Sequence, residues 1–320
     1  DVEALAATAD YFAEASAGSE RALEVESLYA FSVDDPERQA SVIEALEGKH
    51  DFFLFYASHG VARFTHSVEG ARRILEAGES SAPLLLAIQA GLYLEEGRFE
   101  AHDDFLASVP ESDAAGWELY RAFVATSGIA PVAAEGLSEL ADRVSALDAE
   151  GILQSAWLPP YDDFTAEFAA FERDYYAALL MIQAGRFEEA RQIMRRLSAL
   201  DPLPGLGSMQ SDALSGLEAE LALRADDEAA ALEVLRTIEY EVPHAATVRS
   251  IADGSRSRFL RAELERRAGN LQVAKAYYLG LDQSWSWWDT GFRPAVYMGL
   301  ADIAEREGRP EEAIDYYSRL

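Results

Sequence analysis

Arginine is concentrated in one short segment of a chain that is otherwise strongly acidic. Residues 249–267 contain three acidic side chains and six arginines, namely Arg249, Arg256, Arg258, Arg261, Arg266 and Arg267. Guanidinium groups form bidentate hydrogen bonds with carboxylates, so this segment has the chemistry to bind an anion or an acidic peptide. The alternative is that the arginines form salt bridges with carboxylates of the same chain, and we favour this alternative.

Tryptophan is concentrated in a second segment, DQSWSWWDTGF, at residues 282–292. Trp285, Trp287 and Trp288 together offer a large, rigid contact area of the kind that is over-represented at binding hot spots. Three uses stay open: a protein interface, a filling for the gap between misaligned helices, and a platform on which a sugar ring stacks. The three tryptophans are therefore candidate partner-binding residues.

No motif for catalysis or for cofactor binding occurs in the sequence. His59 and His66 are seven residues apart, but Gly60 is expected to break the helix between them, which favours packing or a surface position over metal binding. Gly205 and Gly207 follow a predicted helix rather than a strand, which is typical of a connector and not of a phosphate-binding loop. We predict no catalytic residue, no cofactor and no metal ion, and therefore a non-enzymatic protein.

The net charge of −30 limits the classes of partner. Residues 1–160 hold 29 acidic and 9 basic side chains, and residues 161–320 hold 28 and 18. A field of this sign repels phosphate backbones, so nucleic-acid binding is not expected, whereas solubility or an adaptation to high salt explains the acidic surface.

No apolar run reaches the roughly 20 residues of a membrane span, so no transmembrane segment is predicted.

The sequence contains no cysteine, which excludes disulfides and thiolate metal sites and leaves the cellular compartment open. The chain begins at Asp1 without a methionine and ends inside a predicted helix pair. We therefore expect it to be a piece of a longer polypeptide.

A two-helix unit recurs along the second half of the chain. In FERDYYAALLMIQAGRFEEARQIMRRLSALDP, small Ala178 and Ala190 stand where two helices would touch, Gly185 at the turn, and Pro202 where the second helix stops. The stretches RFLRAELERRAGNLQVAKAYYLGL and PAVYMGLADIAEREGRPEEAIDYYSRL repeat this spacing, and a weaker copy has Ala225 at its turn. The unit resembles the tetratricopeptide repeat.

This resemblance implies an all-α fold, a right-handed α-solenoid of helix hairpins that stack because one pair cannot bury both of its apolar stripes alone. Turns near residues 185, 225, 269 and 308 assign the better-formed array to residues 151–320. Residues 1–80 are predicted as divergent helical repeats and residues 81–150 as degenerate ones, and we expect one continuous superhelix. The stretch Gly151–Tyr161 contains two prolines and is predicted as a loop.

On the repeat template, five residues of the arginine-rich segment line the inner groove of the array: Arg256, Phe259, Glu263, Arg266 and Arg267. All but Glu263 are candidate partner-binding residues. The last 150 residues or so also resemble the C-terminal helical arms of bacterial serine/threonine kinases and adenylate-cyclase-like signalling proteins, which implies a sensory or scaffolding arm. We therefore predict a scaffold that binds a protein or a peptide. The alternatives are a solenoid that assembles with itself into dimers or filaments, and an all-α protein that binds or processes glycans at its tryptophans.

Overall fold

The chain is all-α, as the sequence predicts. The computed structural model describes residues 2–15, 19–78, 83–109, 114–129, 132–155, 165–203, 208–240, 254–284 and 286–320. Helices make up 80% of the structure, and these ranges contain 18 α-helices and no strand. None of the described helices combines the length and the apolar character that crossing a bilayer requires.

The first of two compact units comprises Asp1–Val109. Its helices are α1 (Val2–Ala15), α2 (Glu20–Ser32), α3 (Pro36–Leu46), α4 (Asp51–Thr65), α5 (Val68–Leu75), α6 (Pro83–Glu95) and α7 (Phe99–Ser108). Neighbouring helices pack in pairs, and α4 also packs on α2 and α6.

The expected break at Gly60 is wrong, because α4 runs through this glycine. A Cβ atom at Gly60 would lie 3.3 Å from Leu28 Cδ2. Glycine therefore serves the close approach of α4 to α2, and the backbone stays helical. His59 is buried within α4, and His66 lies beyond its end with a positive φ of 55°.

The second compact unit comprises Pro110–Leu320. Its helices are α8 (Ala114–Ser127), α9 (Ala134–Ser145), α10 (Ala149–Leu153), α11 (Ala166–Gln183), α12 (Phe187–Ser198), α13 (Met209–Arg224), α14 (Glu228–Arg236), α15 (Ser255–Arg267), α16 (Leu271–Asp282), α17 (Arg293–Arg306) and α18 (Pro310–Ser318), with a 3-10 helix at Trp287–Phe292. The predicted loop Gly151–Tyr161 is helical at its start, where α10 ends, and its residues 156–161 lie outside the described residues.

The turns of the hairpins share one backbone geometry. Gly185, Gly269 and Gly308 have positive φ values of 81°, 85° and 70°, and each lies two positions after the last residue of the first helix of its pair. In the weaker copy Asp226 takes this position with φ 59°, one residue after the predicted Ala225, because aspartate tolerates the left-handed conformation. After each turn an amide bonds back to the ending helix, as Arg186 N does to Met181 O at 2.8 Å.

Helices of the second unit pack in the order in which they follow along the chain. From α11 onwards each helix contacts the next, and α11 also packs on α13 as α15 does on α17. A close crossing lies between α16 and α17. A Cβ atom at Gly299 of α17 would lie 2.4 Å from Tyr278 Cζ of α16, so only glycine fits there.

We predict that Gly299→Ala lowers the free energy of unfolding by about 1–3 kcal/mol, because the fully buried Tyr278 ring has no room to move away. The matched control is Gly280→Ala on α16, where an added Cβ meets no atom within 4 Å. Helix propensity alone favours alanine there by up to about 1 kcal/mol. Urea unfolding followed by circular dichroism measures both, and equal stabilities for the two variants would contradict the tight crossing.

Candidate functional site

The arginine-rich segment forms α15, a helix whose charged side chains reach several other elements. Its apolar contribution is small: Leu264 packs with Leu232 and Leu235 of α14 in a cluster that also contains Ala219 of α13. A helix that is polar on most sides requires partners for those polar groups. The positions of its arginines therefore decide how α15 is held.

Arg256 joins three helices at one point. Its Nε donates to Glu220 Oε1 of α13 at 2.7 Å, and its Nη1 donates to the backbone oxygen of Ser127 at 2.6 Å. Ser127 is the last residue of α8, where the helix leaves carbonyl groups without intrahelical partners and the dipole is negative. Gln183 of α11 donates to the neighbouring Thr126 oxygen at 3.0 Å. Arg256 thus caps α8 and neutralises a buried glutamate.

A small cavity lies beside Arg256. It is lined by residues of α8, α11 and the start of α15, including Phe123, Tyr175 and Ser255, and its volume is about 10 Å³. This space fits about one water molecule, and pockets for small organic ligands are many times larger. The hydroxyl of Ser255 is buried and has no partner among the described residues, so it offers such a water one hydrogen bond.

Arg258 forms the most deeply buried ion pair of α15. Its Nη2 donates to both carboxylate oxygens of Asp289, at 2.9 and 2.8 Å, and Asp289 is fully buried in the 3-10 helix. A buried carboxylate without a cation costs several kcal/mol in desolvation. This pair therefore fixes the tryptophan-bearing segment against α15.

Aromatic rings extend the same contact to α8. The Trp288 ring lies edge-on to Phe123 with 4.8 Å between centroids, and Phe292 lies between Phe123 at 6.3 Å and Phe259 at 5.2 Å. Trp288 also approaches Tyr120, and both rings are almost fully buried. Burial raises the pKa of the Tyr120 hydroxyl above its ordinary value. Residues 286–292 therefore fill the space between α8 and α15.

The last turn of α15 connects to α14 and α17. Arg266 donates to Glu263 at 2.8 Å and to Asp302 of α17 at 2.7 Å, and Glu263 also accepts the hydroxyl of Tyr278. Arg267, half exposed, pairs with the equally exposed Glu228 at 2.6 Å. These pairs tie successive hairpins to one another along one side of α15.

Glu265 is the buried carboxylate of α15 itself. Arg236 of α14 donates to it through Nε at 2.8 Å and Nη2 at 2.7 Å, and Asn270 donates at 2.6 Å. The hydrogen bonds from Arg236 lower the pKa of the Glu265 carboxyl below its ordinary value, although burial acts in the opposite direction. Glu265 therefore stays ionised at neutral pH.

The structure places the candidate partner-binding residues mostly inside the fold. The internal contacts described above involve Arg256, Phe259, Arg266 and Trp288. Arg267 is the most exposed of the three candidate arginines. Trp285 and the side chain of Trp287 lie outside the described residues, as does Arg249. In the ranges that the structure describes, no group of three or more histidine and carboxylate side chains is placed to hold a metal ion.

The last hairpin, α17–α18, presents apolar side chains to solvent. Ile314 and Tyr317 of α18 are 67% and 42% exposed, and Leu320 just beyond the helix is 56% exposed. We call these three residues the open face. Met298 of α17 is also 58% exposed. Scattered apolar residues are normal on a surface, but three within seven positions of one helix end form a patch.

Sequence reasoning missed both Asp289 and the open face. A single carboxylate enclosed by aromatic residues in SWWDTGF was the available signal for a buried acid that requires a cation. For the open face, the signal was the spacing of Ile314, Tyr317 and Leu320, which places them on one side of a helix.

We predict that Arg258→Met lowers the free energy of unfolding by about 3–5 kcal/mol, because it leaves the Asp289 carboxylate buried and unpaired. The double variant Arg258→Met/Asp289→Leu is expected to lose much less, because no buried charge then remains. Arg267→Met is the control: Arg267 and Glu228 are each 52% exposed, and Glu263, which lies 3.8 Å from Arg267, keeps Arg266 as its partner, so the loss stays below about 1 kcal/mol. Urea unfolding of the four proteins tests this, and equal losses in the two single variants would contradict it.

The contribution of Glu265 to the free energy of unfolding decreases as the pH falls. Its pKa is lowered from the ordinary 4.5 by folding, so the contribution is complete above this value and disappears as the pH falls through the lowered pKa. Glu265→Gln should therefore cost about 1.5–3 kcal/mol at pH 7 and much less near pH 3. Glu233→Gln, at an exposed site on α14, is the control and should cost little at either pH. A Glu265→Gln loss that is independent of pH would refute the lowered pKa.

Comparison with known protein families gives one match in this region of the chain. The family model of the tetratricopeptide repeat matches residues 294–320, which form the last hairpin. No curated protein and no solved structure matches the chain. The match supports the tetratricopeptide resemblance, and repeats of this kind generally mediate protein–protein interaction.

Proposed function

We propose that this chain is a non-enzymatic scaffold of tetratricopeptide-like hairpins, stacked as a right-handed α-solenoid, which holds a protein partner on the open face of its last hairpin. The observation that carries the proposal is that the hairpin matching the repeat family exposes three apolar side chains near its end, Ile314, Tyr317 and Leu320. A role as the regulatory arm of a larger signalling protein is one use of such a scaffold and stays a prediction.

The internal contacts of α15 support a binding surface away from this helix. A partner that used Arg256, Phe259 or Trp288 would first have to replace buried ion pairs and ring contacts within the fold. The open face requires no such replacement, because its side chains already meet solvent. Arg267 is the one candidate arginine that reaches solvent without such rearrangement, at the cost of an exposed ion pair worth at most about 1 kcal/mol.

Charge and burial weigh against the two alternatives. Two copies of a chain with net charge −30 repel each other at low salt, which disfavours self-assembly through any acidic surface. A sugar platform requires an exposed ring face, and the Trp288 ring, the one of the three tryptophan side chains that the structure describes, is 3% exposed and cannot serve as one. A protein partner that brings positive charge meets neither obstacle.

The test is the loss of a partner when the open face is made polar. We expect Ile314→Ser/Tyr317→Ser/Leu320→Ser to reduce partner recovery from an extract of the source cells at least about tenfold, with little change in melting temperature, since these side chains are largely exposed. Leu200→Ser/Val273→Ser is the matched control, because these residues are exposed apolar side chains elsewhere, at 45% and 41%.

Mass spectrometry identifies the proteins that wild type and control recover in common. If the triple variant recovers the same partner equally well, the open face is not the binding surface. If the only protein that the triple variant loses is the chain itself, the scaffold is self-assembling and the proposal fails.

A further inference from the structure

The cavity beside Arg256 lies where two helix ends meet. Thr126 and Ser127, from the last turn of α8, form one part of its lining, and Gly254, Ser255 and Arg256, at the start of α15, form another. The last carbonyl groups of a helix and its first amide groups have no partners within that helix. The cavity therefore lies between an end that accepts hydrogen bonds and an end that donates them.

The start of α15 offers donors to this cavity. Gly254, which precedes the helix with φ 58°, has no side chain, so it cannot cap the first amides as serine or aspartate would. Ser255 is 1% exposed, and among the residues that the structure describes none forms a hydrogen bond with its hydroxyl. A buried hydroxyl without a partner is costly, so Ser255 requires a partner inside the cavity.

The end of α8 offers acceptors to the same cavity. The backbone oxygen of Thr126 accepts from Gln183 at 3.0 Å, and that of Ser127 accepts from Arg256 at 2.6 Å. A carbonyl oxygen has two lone pairs, so each of the two can accept a second hydrogen bond. A molecule between the two helix ends can thus accept from Ser255 and donate to α8.

The charges near the cavity balance one another. Arg256 is paired with Glu220 at 2.7 Å, and the positive end of the α15 dipole lies opposite the negative end of the α8 dipole. Burial raises the pKa of the Tyr175 hydroxyl, so this lining residue is neutral at pH 7. An anion would meet the α8 carbonyl oxygens, and a cation would meet Arg256. A neutral molecule that both donates and accepts hydrogen bonds fits this lining.

We propose that the cavity is a site for one water molecule that forms a permanent part of the fold. The water accepts from the Ser255 hydroxyl and from the first amides of α15, and it donates to the carbonyl end of α8. A volume of about 10 Å³ admits one water molecule, and three or so hydrogen bonds are typical of a buried one. This inference is independent of the proposed function.

The rest of the lining slows the exchange of this water with bulk solvent. Phe123, Tyr176 and Leu179 lie around the cavity and are 6%, 2% and 2% exposed. The water links residue 127 to residue 255, which are far apart in the sequence, and it does so beside the hydrogen bond from Arg256 to Ser127. The end of α8 is therefore held to α15 by one direct contact and one contact through water.

Ser255→Val tests the site in solution, because valine removes the hydroxyl and places methyl groups in the volume of the water. Magnetic relaxation dispersion of water deuterons counts the long-lived internal waters of a protein. We expect Ser255→Val to hold one fewer than wild type. Ser145→Val on α9 is the matched control, because its hydroxyl already donates to the Ala141 oxygen at 2.7 Å and lines no part of the cavity. Its count should equal that of wild type.

Crystals of the wild-type chain, grown with sodium bromide or with rubidium chloride, identify the occupant even if Ser255→Val does not fold. We expect density for one oxygen atom within hydrogen-bond distance of Ser255 Oγ and of an α8 carbonyl oxygen, without an anomalous signal. An anomalous peak for bromide or rubidium at this place would overturn the inference, by showing an ion site. A cavity without density overturns it too, as does a count of long-lived waters that Ser255→Val leaves unchanged.

Discussion

A carboxylate that folding removes from water requires a cation beside it, and α15 supplies that cation to several elements at once. Asp289 and Glu220 are buried on neighbouring elements, and each pairs with one arginine of α15, Arg258 and Arg256. Removal of one partner from such a pair costs more than the pair contributes, because the remaining charge stays buried. The stacking of the last hairpins and the position of the 3-10 helix against α8 therefore depend on these pairs, and the arginines are not free for a ligand.

The hairpins could be predicted from the sequence because their determinants are local. A small residue at the crossing and a left-handed residue after the first helix act within one pair, so Gly185 and Gly308 locate the turns without knowledge of the rest. The same reasoning failed at Gly60. This glycine lets Leu28 of another helix approach closely, and it does not end its own helix. A glycine can end a helix or allow a neighbouring helix to approach closely. Which of the two occurs depends on tertiary contacts, and the spacing of residues in the sequence does not show these contacts.

The sequence predicted which residue types make up the candidate site. It did not predict what those residues contact. An excess of arginine within an acidic chain indicates ion pairing, but the sequence does not distinguish a carboxylate of the same chain from one of a partner. The partners lie far along the chain: Arg256 reaches Ser127, 129 positions away, and Arg258 reaches Asp289, 31 positions away. Such pairs follow from the way the helices stack, which a repeat pattern specifies for adjacent pairs only. The tryptophan segment was understood in part, since filling a gap between helices was among its open uses.

Internal pairing of the arginines has a consequence for the outer surface. Residues 110–320 hold 36 acidic and 20 basic side chains, and arginines that are committed to buried carboxylates contribute little field to the solvent. The field around this part of the chain is therefore negative and extends over about a Debye length. Salt screens this field and shortens its range. A second acidic chain meets repulsion from the same field, because the arginines that could offset it are paired inside the fold.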